Sequence, residues 1–324
     1  MSNFLKTVGV FALSALLLYW GFMHLLTEEH RQLFFSIPLR TIIPSVILAI
    51  PGFLIGGIEM RFLYSRLSKI KLSTYDTATL PFVINLWGFI FPFQGSFIYT
   101  VTYVFAKYKQ TISDSIKVYL VSFSMSMSIA GLIGLIYSLC SNKSFPGLFP
   151  VVCSLLFINP ILLHIVGRLS KIFKDDGSQL YKLIIKRLGA FIFPDKLDKE
   201  LISYLLLIKL AAIILNGAWM YWVTITLKIN LSAVQLILIL LLMNITALAK
   251  LTPGNIGINQ LASGGIAVLV GGTMSDGFML STFQYITNII IAIIFGGVFS
   301  FVNFKFLNWR ALSSAVAELK KKKK

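Results

Sequence analysis

Amide side chains are the residues of this sequence best placed for chemistry, because they interrupt long apolar stretches. They are Asn85, Gln94, Asn244, Asn255 and Gln260. An amide donates and accepts hydrogen bonds but is a poor proton donor or base, so this set favours recognition of a polar group over catalysis. We therefore expect a binding site with no catalytic residue and no cofactor.

Lys209 is a second candidate, because it lies within an apolar stretch. At about 1.5 Å per helical residue it lies roughly 15 Å beyond the charges that precede it. An ammonium at that depth in a membrane needs a reason. It either binds an anion in a cavity or extends its side chain back to the interface.

Lys250 is a third candidate, three residues before a helix-breaking proline. An ammonium beside the start of a helix favours a phosphate. The backbone amides expected to join it follow the proline, in the segment Pro253, Gly254, Asn255 and Gly257. Alternatively, Lys250 marks the cytoplasmic edge of a helix that crosses completely.

Metal and paired-carboxylate sites are not expected. The histidines, His24, His30 and His164, lack ligand spacing, and the two cysteines form no metal or redox pattern. Of the twelve acidic residues, those near breaks or span ends share no helical face. They are Glu59, Asp114 and Asp276.

The elements that position these residues must be membrane helices. The 324 residues are 57% hydrophobic and 13% charged, a balance typical of membrane burial. About 20 apolar residues span a bilayer core, which predicts eight or nine membrane segments. They lie near 5–26, 41–63, 116–140, 148–168, 200–224, 232–250, 255–272 and 278–304, with a broken stretch at 80–106. A short polar turn containing Glu28 to Arg31 joins the first two.

Positive charge lies in the connections, so the net charge of +17 predicts membrane orientation and no nucleic-acid partner. A cytoplasmic amino terminus places 23 of the 29 Lys and Arg inside. We expect a multi-pass cytoplasmic (inner) membrane protein with both termini cytoplasmic. The basic connection 169–199 is either a helix on anionic headgroups or a solvated loop, and a Lys-rich tail occupies 320–324.

The two halves of the sequence contain the same helix-breaking and helix-capping residues in the same order. Asn85, Pro92, Gly95 and Ser113-Asp114 recur as Asn244, Pro253, Gly257 and Ser275-Asp276. We expect each Ser-Asp pair to occupy a helix N-cap. The membrane helices predict an all-α bundle that forms a single membrane domain (1–324). The opposite orientations of the broken segments predict that this domain contains two inverted repeats, about 41–168 and 200–305. Each repeat would contain a broken or re-entrant helix pair. Alternatively, Pro92 and Pro253 only kink long helices.

The second break, from Pro253 to Gln260, resembles the Pro-Gly-Gly-Leu-Gly-x-x-Glu hallmark of the lysylphosphatidylglycerol synthase transmembrane-region family. The first break, with Asn85, Pro92, Gln94 and Gly95, is similar to that family's Asn...Pro-Gly-Arg-x-Gly-Glu stretch. The resemblance implies a flippase-like fold. Here Gln260 replaces the expected Glu, Ser96 replaces an acid and no Arg lies nearby, so a non-cationic or anionic lipid is at least as plausible as a cationic one.

Because about twenty residues follow the last span, we expect no synthetase domain and transport without lipid modification. The leading hypothesis is a lipid flippase that handles a phosphate-bearing headgroup between the two breaks. Its expected partners are membrane lipids, with anionic headgroups at the cytoplasmic face. The main alternative is a non-transporting scaffold for an envelope lipid or glycan synthesis enzyme. A membrane enzyme acting on a lipid-linked substrate is the third. Homo-oligomerisation is left open.

Overall fold

The computed structural model of the chain describes residues 15–26, 28–37, 39–91, 95–140, 149–158, 199–244 and 252–303, together with Ala12 and Thr246. Every regular element in these ranges is helical, which confirms the all-α class. The helices are α1 Ala15–His24, α2 Glu28–Phe35, α3 Leu39–Leu67, α4 Thr74–Ile90, α5 Gly95–Tyr108, α6 Ile112–Cys140, α7 Phe149–Ile158, α8 Lys199–Thr226, α9 Ala233–Leu242, α10 Ile258–Leu269, α11 Met274–Ile291 and α12 Gly297–Asn303. A 3-10 turn, Pro253–Asn255, precedes α10, and a π turn, Ala292–Gly296, joins α11 to α12.

Within the described residues, four helices are long and apolar enough to cross a membrane. They are Arg40–Leu67, Ile112–Cys140, Lys199–Thr226 and Met274–Val302, close to four of the predicted spans. Large apolar side chains on their outer faces are exposed, including Leu139, Ile214 and Val298. In a membrane protein the outer faces of the spanning helices contact lipid tails, so exposed apolar side chains are expected there.

The remaining predicted spans are shorter helices in the described residues. The broken stretch 80–106 is α4 and α5, and α9 and α10 lie in the segments predicted as 232–250 and 255–272. At about 1.5 Å per residue neither α9 nor α10 covers a bilayer core of about 30 Å. The predicted polar turn at Glu28 is wrong, because α2 starts there. Two acidic residues in its first turn stabilise the helix, because their charges interact favourably with the positive end of the helix dipole.

Threonine, and not the Ser-Asp pair, caps the long helix that follows each break. The Thr111 hydroxyl accepts the Asp114 N–H at 3.2 Å, and the Thr273 hydroxyl accepts the Asp276 N–H at 3.1 Å. Each hydroxyl also donates to the same Asp carboxylate at 2.6 Å. The N-cap prediction was therefore wrong by two residues: the repeated unit is Thr-x-Ser-Asp, with Asp three residues after the cap.

Where helices cross, pairs of adjacent glycines contain one glycine in a crowded position and one in an open position. A Cβ at Gly57 would collide with the backbone oxygen of Thr77, whereas a Cβ at Gly56 meets no atom within 4 Å. Gly57 therefore allows α3 and α4 to approach closely, as small residues do between membrane helices. The pairs Gly264-Gly265 and Gly296-Gly297 show the same division, with one crowded and one open glycine.

We expect Gly57→Ala to lower the thermal unfolding midpoint in detergent, by a free energy of about 1 to 3 kcal/mol typical of overpacking. Gly56→Ala is the matched control and should be neutral or slightly stabilising, since alanine is the better helix former. Equal midpoints for the two variants would contradict the close approach of α3 and α4.

Candidate functional site

Each broken segment forms a hairpin that is closed at its base by the side chain three residues after a serine cap. In the first hairpin, α4 and α5, Asp76 follows the cap Ser73 and is fully buried. Its carboxylate accepts hydrogen bonds from Lys107 at 2.7 and 2.8 Å, and from Tyr103 at 2.8 Å. The start of α4 and the end of α5 therefore lie together.

The second hairpin, α9 and α10, is closed in the same way by an uncharged group. Gln235 follows the cap Ser232 and donates from its amide to the Val270 carbonyl at 2.8 Å. The start of α9 and the end of α10 are thereby joined. Asp76 and Gln235 occupy equivalent positions, a correspondence that their different side chains conceal in the sequence.

The tips of the two hairpins meet. Gly254, with a φ of 56°, lies so close to the Phe89 ring that a Cβ there would collide with it. Only glycine adopts this backbone conformation without steric cost, so the contact requires it. The Phe89 ring in turn meets the Tyr285 ring edge-on, with centroids 5.0 Å apart.

The long helix Met274–Val302 runs past both hairpins. Along α4, Tyr75 meets Phe299, Asn85 donates to the Asn288 carbonyl at 3.2 Å, and Phe89 meets Tyr285. The base of the second hairpin, at Val270, lies four residues before the start of this helix. The two bases therefore lie at opposite ends of Met274–Val302, and the tips meet beside its middle.

A cavity of about 540 Å³ lies where the tips meet. We call it the amide cavity, because six of its lining residues carry side-chain amides: Asn85, Asn244, Asn255, Asn259, Gln284 and Asn288. Its volume is in the range usual for ligand sites. Polar side chains in an otherwise apolar bundle are expensive, which makes this cavity the candidate site.

The structure brings together four of the predicted site residues around the amide cavity: Asn85, Asn244, Gly254 and Asn255. Gly95 is packed against the Trp87 carbonyl at the first tip, and Gly257 and Gln260 are buried in the second. Pro253 begins the 3-10 turn. Pro92, Gln94 and Lys250 lie outside the described residues, as does nearly all of 169–199 and the tail 320–324.

Two backbone amides that were expected to contact an anion have partners within the second tip. The Asn255 N–H donates to the Thr252 carbonyl at 2.9 Å, and the Gly257 N–H donates to Gln260 Oε1 at 2.7 Å. In this arrangement these two groups are not available to an anion. Gln260 supplies the same acceptor oxygen that a Glu would supply, without the charge, so the departure from the family hallmark leaves this turn intact.

The polar face of α11 was not predicted from the sequence. Ser281, Gln284, Tyr285 and Asn288 line the cavity and follow the helical spacing of three and four residues. A polar stripe on an otherwise apolar span was the available signal, because such residues face the interior of a bundle. Asn259 and Thr246 were also missed, although Asn259 lies inside the hallmark segment.

Lys209 has a carboxylate partner that the sequence did not suggest. Its ammonium lies 2.7 Å from Glu59 of α3 and 3.1 Å from the Ser122 hydroxyl of α6, and Ser122 also hydrogen-bonds Glu59. Both charged side chains are nearly buried, at 13% and 11% exposure. The ammonium is therefore neutralised by Glu59 and does not line the amide cavity, and neither of the two roles predicted for it matches this contact.

A smaller cavity of about 270 Å³ adjoins the pair. Glu59 and Ser122 line it, and it shares Gly56, Ser96 and Tyr119 with the amide cavity. The two volumes are thus neighbours along one face of α3. In the described residues, the smaller one contains the carboxylate and the larger one has no charged lining side chain.

A sequence profile described as the lysylphosphatidylglycerol synthase TM region matches residues 7–296. The chain belongs to this family. The match includes both hairpins, the amide cavity, three of the four long helices and all but the last six residues of Met274–Val302. Membership in a membrane-domain family therefore agrees with the apolar bundle. No match was found among curated proteins or among solved structures.

We expect Lys209→Met to destabilise the protein by about 3 to 5 kcal/mol, since it leaves a nearly buried carboxylate without its cation. Adding Glu59→Gln to this variant should recover most of the loss, because the uncompensated charge is then gone. Thermal midpoints in detergent measure both effects.

The pair Arg66–Glu200 provides a matched control on the same two helices, α3 and α8. Its atoms are 2.9 Å apart but its side chains are 44% and 65% exposed. Exposed pairs contribute about 0 to 1 kcal/mol, so Arg66→Met should have little effect. If Lys209→Met is as mild as Arg66→Met, the Glu59–Lys209 pair does not stabilise the bundle.

Proposed function

We propose that this chain is a lipid flippase or transporter-like membrane protein that carries a lipid headgroup through the amide cavity. The observation that carries the proposal is a cavity of about 540 Å³, lined by six side-chain amides, at the meeting point of two broken segments. A headgroup that crosses the apolar part of a membrane needs hydrogen bonds to replace those of water. Side-chain amides around the cavity supply them.

We infer that the two hairpins are re-entrant and belong to inverted repeats. Their bases lie at opposite ends of Met274–Val302 and their tips meet beside its middle, as discontinuous helices do in transporters with inverted repeats. Lys69, Lys71, Lys107 and Lys109 flank the first hairpin, so the positive-inside rule assigns that base to the cytoplasm. The second hairpin would then enter from the outer side.

Transport fits the cavity better than catalysis does. Amide and hydroxyl groups orient a substrate but are poor general acids or bases. Glu59, the carboxylate that lines the smaller cavity, is paired with Lys209. The phosphate contact predicted for Lys250 stays a prediction, since that residue lies outside the described ranges.

Filling the cavity should stop transport without unfolding the protein. Gly56 lines the amide cavity, and a Cβ there meets no atom within 4 Å, so we expect the Gly56→Leu side chain to start without a clash and to extend into the cavity. We expect at least about a tenfold slower movement of fluorescent lipids between leaflets of reconstituted vesicles, the effect of roughly 1.4 kcal/mol on a barrier. Accessibility of the label to an external quencher gives the rate.

Gly297→Leu is the matched control, because Gly297 also has open space around its Cβ position and does not line the amide cavity. Both variants should elute as monodisperse protein with the same thermal midpoint. Unchanged lipid movement in Gly56→Leu would exclude the amide cavity as the route.

A further inference from the structure

The described lining of the amide cavity contains no side chain of Lys, Arg, His, Asp or Glu. Its hydrogen-bonding groups are amides and hydroxyls, the latter from residues such as Ser96, Ser281 and Tyr285. A phosphate or an ammonium placed there would lose its water without gaining an opposite charge, which costs far more than moving a neutral polar group. The cavity chemistry therefore disfavours charged groups.

A sugar or polyol suits this lining. Each hydroxyl both donates and accepts a hydrogen bond, and each side-chain amide offers two donors and an acceptor. The two chemistries pair in either direction, so several hydroxyls can be bonded at once. A phosphate offers acceptors only, so it would use the N–H donors of the amides and leave the amide oxygens unpaired.

Asn255, which lines the cavity, carries an unpaired acceptor just beneath the cavity surface. Its Nδ2 donates to the Thr246 carbonyl at 3.0 Å and to Asn259 Oδ1 at 2.8 Å. Because a carbonyl only accepts, the Thr246 contact fixes the orientation of the amide. Asn255 Oδ1 is then buried with no donor among the described residues, and the residue itself is 2% exposed. A buried acceptor without a donor is costly, and a small displacement of the Asn255 side chain that exposed Oδ1 to the cavity would let a ligand hydroxyl satisfy it.

Aromatic rings complete the surface. Phe53, Phe89, Tyr119 and Tyr285 line the cavity beside the amides. The face of an aromatic ring is electron-rich and attracts the weakly positive hydrogens of C–H groups. One side of a sugar ring carries such hydrogens, while its rim carries the hydroxyls. The mixture of rings and amides therefore matches both surfaces of a sugar.

We propose that the amide cavity binds the uncharged, polyhydroxylated headgroup of a lipid, such as the sugar of a glycolipid. The proposal rests on the proposed transport function for its lipid source and on the cavity chemistry for its headgroup class. A phosphate elsewhere on the same lipid would lie outside the amide cavity. Because the headgroup class and the transport function are distinct claims, lipid binding and lipid movement are tested separately.

Binding decides the headgroup class. Purified protein is mixed with glucosyl-diacylglycerol, with phosphatidylserine or with free glucose, and the complexes are counted by native mass spectrometry. We expect at least about tenfold preference for the glycolipid over phosphatidylserine. Equal binding, or preference for phosphatidylserine, would overturn the proposal. Binding of free glucose without the glycolipid would overturn its lipid source.

Two substitutions locate the site. Gln284→Leu and Asn85→Leu each replace an amide of the lining and should weaken glycolipid binding about tenfold, as expected for the loss of one well-placed hydrogen bond. Gln32→Leu, on the exposed surface of α2, is the matched control and should bind as the parent does. If one cavity variant misfolds, the other still decides. Unchanged binding in a folded cavity variant would contradict the proposal.

Movement of fluorescent glucosyl-diacylglycerol and phosphatidylserine between leaflets then tests the transport function. Faster movement of the glycolipid supports both proposals. Selective binding without movement keeps the headgroup class and removes the flippase function. Movement of phosphatidylserine alone keeps the flippase function and overturns the headgroup class.

Discussion

If the two hairpins are re-entrant, as we propose, each break must find partners for the backbone groups that it releases inside the membrane, and this constraint organises the protein. Lipid tails offer no hydrogen bonds, so irregular backbone is stable only where protein or a polar cavity surrounds it. The two breaks meet each other, so protein atoms surround the irregular backbone of the second tip. Thr252 and Gln260 bond the backbone of the second tip, and Phe89 covers it from the first.

Closed hairpin bases make the tip contact possible. Asp76 and Gln235 each tie the start of one arm to the end of the other, although one uses an ion pair and the other an uncharged amide. Both lie three residues after a serine cap, so the same local geometry aims them. Crowded glycines such as Gly57 and Gly264 then let a hairpin helix pack closely against a long helix, which fixes where the hairpins lie.

Charge and hydrogen-bonding capacity are separated inside the bundle. Glu59 and Lys209 neutralise each other beside the smaller cavity, whereas the described lining of the larger cavity is uncharged. A nearly buried pair is tolerable because each ion compensates the other. The lining amides can therefore hydrogen-bond a substrate without a charged neighbour among the described lining residues, which is the physical basis for proposing an uncharged headgroup in this cavity.

The sequence by itself determined the membrane character, the long helices and the positions of the breaks, because apolar length and breaker residues are local properties. It also indicated that Asn85, Asn244 and Asn255 belong to one site, since both breaks contain amides. Only the tertiary structure decided that Lys209 pairs with Glu59, that Gln235 corresponds to Asp76, and that one face of α11 joins the site. These relations connect residues on different helices, and spacing along the chain carries no information about which faces of different helices come to pack together.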